Sequence, residues 1–275
     1  MPELPEVETI RLSLEDKIKG LQIEQVEVLM PKIIKMPDTI EDFKERVQGK
    51  TIKGLSRRGK YLLLHLSQEN LLVLHLRMTG RFLYVAQYEE ITKHTHVVFC
   101  LNNGYQLRFI DIRQFGTIYL LKENEFNSIK GLHNLGPEPL GENFTKEGLT
   151  EALAKKNKKI KQVLLDQDVV AGLGNIYADE VLFEAHILPE RTASSLTVNE
   201  IQALYYSILK VLKEAICHRG TSFRDYVDSG GQKGEHQNHL KVYQRQGQEC
   251  SRCCCQLKKE KIAGRSSHYC PGCQH

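Results

Sequence analysis

Four cysteines near the end of the chain, in Cys250-Ser251-Arg252-Cys253 and Cys270-Pro271-Gly272-Cys273, form a C-x2-C-x16-C-x2-C pattern. This spacing suits four thiolates around one tetrahedral structural zinc, and the surrounding tail has too few apolar residues to build a core of its own. Cys254 and Cys255 leave a shift of ligand register chemically open. Cys253 is the preferred ligand, because two residues between ligands let one tight knuckle wrap a metal. A metal-free cysteine-rich tail or the disulfides of a secreted protein are the competing accounts. No apolar signal peptide precedes Pro2, and no long uncharged run is present to cross a bilayer. The expectation is therefore a cytoplasmic protein with reduced thiols and no membrane association. Cys100 and Cys217 lie in apolar settings and are expected in cores.

At 275 residues the chain exceeds the usual span of one core, so two domains plus a small metal module are expected. Lys and Arg outnumber Asp and Glu by only 38 to 34, but the excess is unevenly spread. From Lys241 to His275 there are seven basic residues against two acids, which leaves the rest of the chain slightly acidic. A second cluster, Lys155, Lys156, Lys158, Lys159 and Lys161, begins a helical segment. Charge runs are often only solvated faces, yet two of them beside a zinc module point to a polyanion, nucleic acid foremost.

Val7, Ile10, Leu14 and Ile18 recur at helical spacing and Gly20 supplies a stop, predicting an amphipathic helix over 5–19. Strand-like runs follow at 22–28, 51–56, 60–66, 71–78, 96–101, 106–112 and 117–121, with a helix at 40–48 and a hairpin signal at Asn102-Asn103-Gly104. Residues 1–132 thus read as a β-sandwich with a flanking helix. Pro137, Pro139, Gly136 and Gly141 mark 133–145 as a linker. Helical periodicity then governs 146–155, 158–166, 174–185 and 198–218, the last opened by a Thr197 and Glu200 capping box. The fold class is α+β: an N-terminal β-sandwich, a helical domain over 146–240 and a zinc-finger hairpin over 241–275. Gly172 and Gly174, just before a helix, free its N-terminal amides to approach a phosphate; a tight core turn is the equally open alternative. Residues 219–240, rich in Gly, Gln, Ser and His, read as a mobile loop.

The start of the chain, Met1-Pro2-Glu3-Leu4-Pro5-Glu6, holds a second chemical signal. Removal of Met1 would leave a secondary amine beside two carboxylates. An α-amino group titrates at about 7.7 to 8.0, so a useful fraction is neutral near pH 7 and able to form a Schiff base, with carboxylates to move protons. The bland account is that the prolines open a helix and Glu3, Glu6 and Glu8 complement its positive end.

Taken together, MPELPEVET, RRGKYL at 57–62, HLRMTG at 75–80, LGPEPL at 135–140, GLGNIYADE at 172–180 and the terminal AGRSSHYC-PGC resemble the bacterial formamidopyrimidine-DNA glycosylases, over the full length and in the expected order. The resemblance implies a monomeric base-excision repair enzyme that works near the nucleoid. Its partner would be double-stranded DNA containing oxidised purines or abasic sites, with bifunctional glycosylase and lyase activity. It makes the helical domain a helix-two-turn-helix. It makes Pro2 the nucleophile, Glu3 the proton donor and acceptor at the sugar, and Glu6 the support of the Pro2 amine. Lys60 and Arg265, otherwise readable as surface cations, become the residues associated with β- and δ-elimination. His94, Arg113, Lys156, Asn175 and Arg265 form the phosphate-contacting set. Met78, Arg113 and Phe115 would fill the void left by an extruded nucleotide, where core packing is the ordinary reading of Met78 and Phe115 alone. Thr221, Ser222, Phe223, Arg224 and Tyr226 anchor the loop that closes over the lesion.

Some positions depart from the family pattern. Gln114 stands where a basic residue commonly follows Arg113, Thr79 occupies a variable place near the flipped base, and Cys254-Cys255 replaces a small residue. Two other readings remain: an endonuclease VIII type glycosylase for oxidised pyrimidines, and a catalytically silent zinc-dependent protein that binds damaged DNA.

Overall fold

The computed structural model describes residues 1–275, which divide into two compact units. The first comprises Met1–His133 and His218–Gln237, the second Asn134–Cys217 and Asn238–His275.

The first unit is a β-sandwich. Helix α1 (Leu4–Ile18) begins with Pro5 in its first turn, where a missing amide hydrogen costs nothing, and ends before Gly20, whose φ of +87° needs glycine. Its stripe of Val7, Ile10, Leu14 and Ile18 is fully buried. Strand β1 (Ile23–Val28) is followed by β2 (Ile34–Met36) and α2 (Ile40–Val47), which Thr39 caps by accepting the Asp42 amide at 3.2 Å. Seven further strands complete two sheets: β3 (Ile52–Arg58), β4 (Tyr61–Leu66), β5 (Asn70–His75), β6 (Gly80–Ala86), β7 (Thr95–Leu101), β8 (Tyr105–Asp111) and β9 (Thr117–Lys122). One sheet has the order β1-β7-β8-β6 and the other β2-β9-β5-β4-β3. Leu62, Leu64, Leu72, Leu74, Ile118 and Leu120 from the second face Phe82, Val97, Phe99, Leu107 and Phe109 from the first in one core. Each such side chain contributes about 1.5–3 kcal/mol on burial. A short helix, α3 (Lys130–His133), closes the unit.

Two strands, β2 and β6, are additional to those expected from the sequence. In β6 the alternation of Phe82, Tyr84 and Ala86 was present, but it follows the preceding apolar run with only a turn between. The strand expected over 71–78 stops at His75, because Arg77 adopts a φ of +55° and Gly80 N donates to Leu76 O at 3.0 Å. That turn lifts Met78 out of the sheet. The Asn102-Asn103-Gly104 hairpin forms as expected between β7 and β8, with Gly104 at φ +80°.

The second unit holds α4 (Lys146–Ala154), α5 (Ile160–Leu165), α6 (Asn175–Glu184), α7 (Val198–Cys217) and the hairpin β10 (Lys258–Ile262) and β11 (Arg265–Tyr269). The capping box opens α7: Thr197 N donates to Glu200 Oε2 at 2.7 Å and Glu200 N to Thr197 Oγ1 at 3.3 Å. Of the residues expected as a linker, 133–145, all but His133 belong to this unit; Gly136 N bonds Gln167 O and Ala171 N bonds Pro137 O.

Two expectations change. Residues 219–240 are expected as a mobile loop of the helical domain; instead His218–Gln237 fold with the first unit, where Tyr226, Asp228 and Ser229 are buried, and only Asn238–Leu240 stay with the second. Their polar composition hid a few anchoring side chains. Cys217 is exposed at the end of α7, whereas Cys100 is buried as expected. No helix is long and apolar enough to cross a membrane.

Candidate active site and nucleic-acid interface

In the first unit Pro2, Glu3 and Glu6 are all buried at the start of α1, the two carboxylates only 2% and 1% exposed. Burying a carboxylate is costly without donors, and the positive end of the helix together with backbone amides supplies them. Glu6 Oε2 accepts Glu3 N at 2.7 Å, and Glu6 Oε1 accepts Thr221 N at 2.8 Å. Thr221 and Ser222 are themselves buried, and Tyr226 lies in the same core as Val7 and Ile10. Phe223 and Arg224 are exposed, so the loop segment splits into a buried root and an outward face.

Lys60 follows Gly59, which turns β3 into β4 at a φ of +56°, and is almost fully buried. Nearby, His75 is held neutral: burial first, then the charges of Arg77 and Lys60, depress it to about 3. Its Nδ1 accepts the Arg77 amide at 2.9 Å, and the Tyr61 ring packs edge-on at 4.5 Å.

Met78, Arg113 and Phe115 come together at the surface. Arg113 Nη1 lies 3.0 Å from Met78 Sδ, and its guanidinium sits 4.9 Å from the Phe115 ring centroid. Met78 is 41% and Phe115 53% exposed, so the core-packing account of these two side chains does not hold. The residue organising them, Asp111, was not singled out from sequence. It is fully buried, and its carboxylate accepts the Thr79 hydroxyl, Arg113 N at 3.2 Å and Gly116 N at 2.7 Å, tying the turn before β6 to the turn after β8. An Asp ending an apolar strand was the available signal. His94, half-buried, joins the same edge through its carbonyl, which accepts Asp111 N at 3.0 Å. Gln114, at φ +59°, accepts Lys32 Nζ at 2.6 Å, so a cation does reach this position from elsewhere in the chain.

The second unit holds Lys156, Asn175, Arg265 and the cysteines. Gly172 adopts φ +88°, and Gln167 braces the turn by accepting Gly172 N and donating to Leu173 O. Gly174 then caps α6. Asn175 Nδ2 donates to Ser266 O at 3.0 Å, next to the exposed Arg265 on β11. The same carbonyl accepts Lys161 Nζ at 2.7 Å, and Lys161 also pairs with Asp179 at 2.6 Å. Asp179 in turn accepts His268 N at 2.9 Å and His268 Nδ1 at 3.0 Å. Lys161 therefore belongs to a buried network and not to the charged face expected of its cluster. Its neighbours Lys155, Lys156, Lys158 and Lys159 precede α5, and Lys156 pairs with Asp168 at 3.4 Å. Glu180, beside Asp179, accepts the amides of Lys241, Val242 and Tyr243 at 2.8–2.9 Å; burial nevertheless raises its carboxyl above the usual range.

The reactive atoms of Cys250, Cys253, Cys270 and Cys273 all lie within 4.8 Å of one another. Cys250 and Cys273 sulfurs are 3.7 Å apart and those of Cys253 and Cys270 3.3 Å. Metal–sulfur bonds of about 2.3 Å imply tetrahedron edges of about 3.8 Å, so this donor set fits a thiophilic metal ion.

Two family models match the chain: the formamidopyrimidine-DNA glycosylase N-terminal domain over residues 1–118 and the H2TH domain of the same family over 135–227. The chain belongs to the formamidopyrimidine-DNA glycosylase family. It is therefore an enzyme of the DNA glycosylase and abasic-site lyase class. Formamidopyrimidine-DNA glycosylases of Pelotomaculum thermopropionicum and Desulforamulus reducens are 51% and 50% identical to it, over 100% of this chain and 99% of each relative. Among solved structures, a point mutant of the Lactococcus lactis enzyme, in complex with DNA containing Fapy-dG, superposes with a TM-score of 0.93 at 41% identity, covering 100% of both chains. A complex of the Lactococcus lactis protein with abasic-site DNA gives the same score and identity over 99% of each chain.

Proposed function

We propose that this chain removes oxidised purines, 8-oxoguanine and formamidopyrimidines, from double-stranded DNA and then cleaves the strand at the resulting abasic site. The observation that carries this reading is the buried Pro2, Glu3 and Glu6 cluster at the start of α1. Two carboxylates sequestered beside an imino acid that removal of Met1 would make terminal cost stability and are what covalent catalysis by an amine needs. The solved complexes of relatives with Fapy-dG and abasic DNA supply the substrate class.

In this reading Met1 is removed and the neutral Pro2 nitrogen attacks C1′ of the damaged nucleotide. Glu3 exchanges the protons at the sugar, the base departs, and the iminium left on the sugar acidifies C2′–H so that β- and δ-elimination follow. Glu6, through its bond to Glu3 N, orients the attacking end of the chain. Lys60 and Arg265 bind the phosphates flanking the sugar, with His94, Arg113, Lys156 and Asn175 contributing further backbone contacts. Met78, Arg113 and Phe115 occupy the space the extruded nucleotide vacates. Thr221, Ser222, Phe223, Arg224 and Tyr226 carry the cover over the extruded base. Cys250, Cys253, Cys270 and Cys273 would hold one structural zinc, whose binding would stabilise the hairpin bearing Arg265. The protein works as a monomer in the bacterial cytoplasm, beside the nucleoid.

Borohydride trapping on an 8-oxoguanine duplex tests nucleophile, substrate and lyase step together. The expected adduct maps to Pro2; an adduct on Lys60 or another lysine would overturn the assignment. Glu3→Gln should retain lesion binding and lose base excision. One relative's structure contains oxidised-pyrimidine DNA, so a thymine glycol duplex run in parallel separates the purine reading from an endonuclease VIII type preference.

A further inference from the structure

Segment 218–237 follows the end of α7 and returns to its own beginning. Glu235 N donates to His218 O at 2.8 Å and His236 N to Gly220 O at 3.1 Å, so the two ends form one closed root. Inside that root Ser222 Oγ donates to Tyr226 O at 2.8 Å and accepts Gly234 N at 2.9 Å. Further out, Asp228 gathers the amides of Gly230 and Gln232, both at 2.9 Å.

The root grips the first two turns of α1 through Thr221 and through Tyr226, whose hydroxyl also has the Thr9 side chain as a hydrogen-bond partner. Thr221 N donates to the Glu6 carboxylate, whose other oxygen holds Glu3 N. The Tyr226 hydroxyl lies 3.3 Å from Glu6 O and 3.2 Å from Arg219 O, shared between a carbonyl of α1 and one of the root. Burial, reinforced by the Glu6 charge, pushes this phenol far above its ordinary range, so it remains a neutral donor at any working pH. Packing leaves no slack: at Gly220, with φ +76°, an added Cβ would lie 2.8 Å from Glu6 Oε1.

A cover that acts only on an extruded base has nothing to do when the base is already gone. The geometry here differs, because the root touches the backbone and side chain of a residue one helical turn from the nucleophile. We infer that Tyr226, together with the Thr221 main-chain amide, is a positioning element for the Pro2 amine, required for cleavage of an abasic site as much as for release of a damaged base. The inference rests on the Pro2 chemistry proposed above and extends it to a segment whose expected task is lesion cover.

The test is Tyr226→Phe, which keeps the buried ring and removes only the hydroxyl. Single-turnover trapping rates are measured on an 8-oxoguanine duplex and on a preformed abasic duplex, with affinity read separately on an uncleavable tetrahydrofuran abasic analogue. Both rates should fall about 3- to 10-fold, the loss of one neutral buried hydrogen bond, while affinity for the analogue stays unchanged. Gly220→Ala leaves the phenol in place, presses a methyl on Glu6, and should reproduce the loss on both substrates. Ser229→Ala is the control, since its hydroxyl meets α1 at Ser13, 2.8 Å away and two turns beyond Glu6; it should leave the abasic rate as in wild type. Slowing of 8-oxoguanine excision alone in Tyr226→Phe and Gly220→Ala, or an equal abasic loss in Ser229→Ala, would overturn the positioning role. Failure of the wild-type chain to form any Pro2 adduct would instead remove the proposed chemistry.

Discussion

Arg113 in the first unit and Arg265 in the second each stand at an exposed tip, and each tip is held from beneath by a buried aspartate. Asp111 does this with neutral donors, the Thr79 hydroxyl and the amides of Arg113 and Gly116. Asp179 does it with the Lys161 ammonium and with His268, and Lys161 passes the grip on to Ser266, next to Arg265. Two supports of similar shape are therefore unequal in energy. When one neutral donor is removed the Asp111 carboxylate keeps two others, whereas removing one member of the Lys161–Asp179 ion pair strands the opposite charge. The second tip also lies on the hairpin that ends in the four-cysteine cluster, whose donor set could hold a metal ion, and the first has no such cluster.

The contrast between the tips meets its most severe test at the cysteines. Cys273→Ser, or chelation, should release the metal, unfold the small module and abolish DNA binding, because metal binding supplies its folding free energy. Metal stoichiometry decides the point: full zinc in Cys273→Ser, or its loss in Cys254→Ser, would show a different ligand set. Next in size, Asp179→Asn should cost about 3–5 kcal/mol by stranding Lys161. Replacing the pair with Lys161→Met and Asp179→Leu should recover most of that loss in thermal unfolding. Equal melting of single and double variants would mean the pair is not the support described.

Asp111→Asn should cost less, about 1–3 kcal/mol, since one buried acceptor becomes a misplaced donor. Smaller still are changes at the tips themselves. Met78→Ala and Phe115→Ala should alter stability by less than about 0.5 kcal/mol. They should slow nucleotide extrusion, followed by 2-aminopurine fluorescence, with little change in the salt dependence of binding. Arg265→Ala or Lys156→Ala should weaken binding to damaged and intact duplexes alike and flatten the salt slope by about one phosphate contact. An unchanged fluorescence rise in both Met78→Ala and Phe115→Ala would remove their extrusion role.

The mildest test concerns pH. His75 has a folded value of about 3 against an ordinary 6.5, so the folded state favours the neutral ring. Its contribution is complete above about pH 6.5 and is lost progressively as pH falls towards 3. His75→Asn, which keeps an acceptor for the Arg77 amide, should flatten the acid decline of the melting temperature. An identical decline would place the acid sensitivity elsewhere.

Much of this was legible in the residues. The stripe of α1, the alternation of the strands, the capping box before α7 and the cysteine spacing each depend on neighbours a few positions apart, and local rules reach that far. The acids of α6 were not legible as supports. Asp179 and Glu180 read as ordinary helix carboxylates until residues some sixty to ninety positions later donate to them. Lys161 misled for the same reason, since a lysine among lysines looks solvated until its buried partner is known.

Two changes of periodicity, the four-thiol knuckle and the pairing of an imino acid with two carboxylates needed nothing beyond the order of residues. All of these are patterns of composition and spacing that chemistry reads one residue at a time. Packing in three dimensions was required to fold 218–237 with the β-sandwich, to set Asp111 and Asp179 beneath the tips, and to turn Met78 and Phe115 outward. Those outcomes depend on where a few buried hydrogen bonds and one ion pair are satisfied, and satisfying a buried polar group is a property of the whole packed unit.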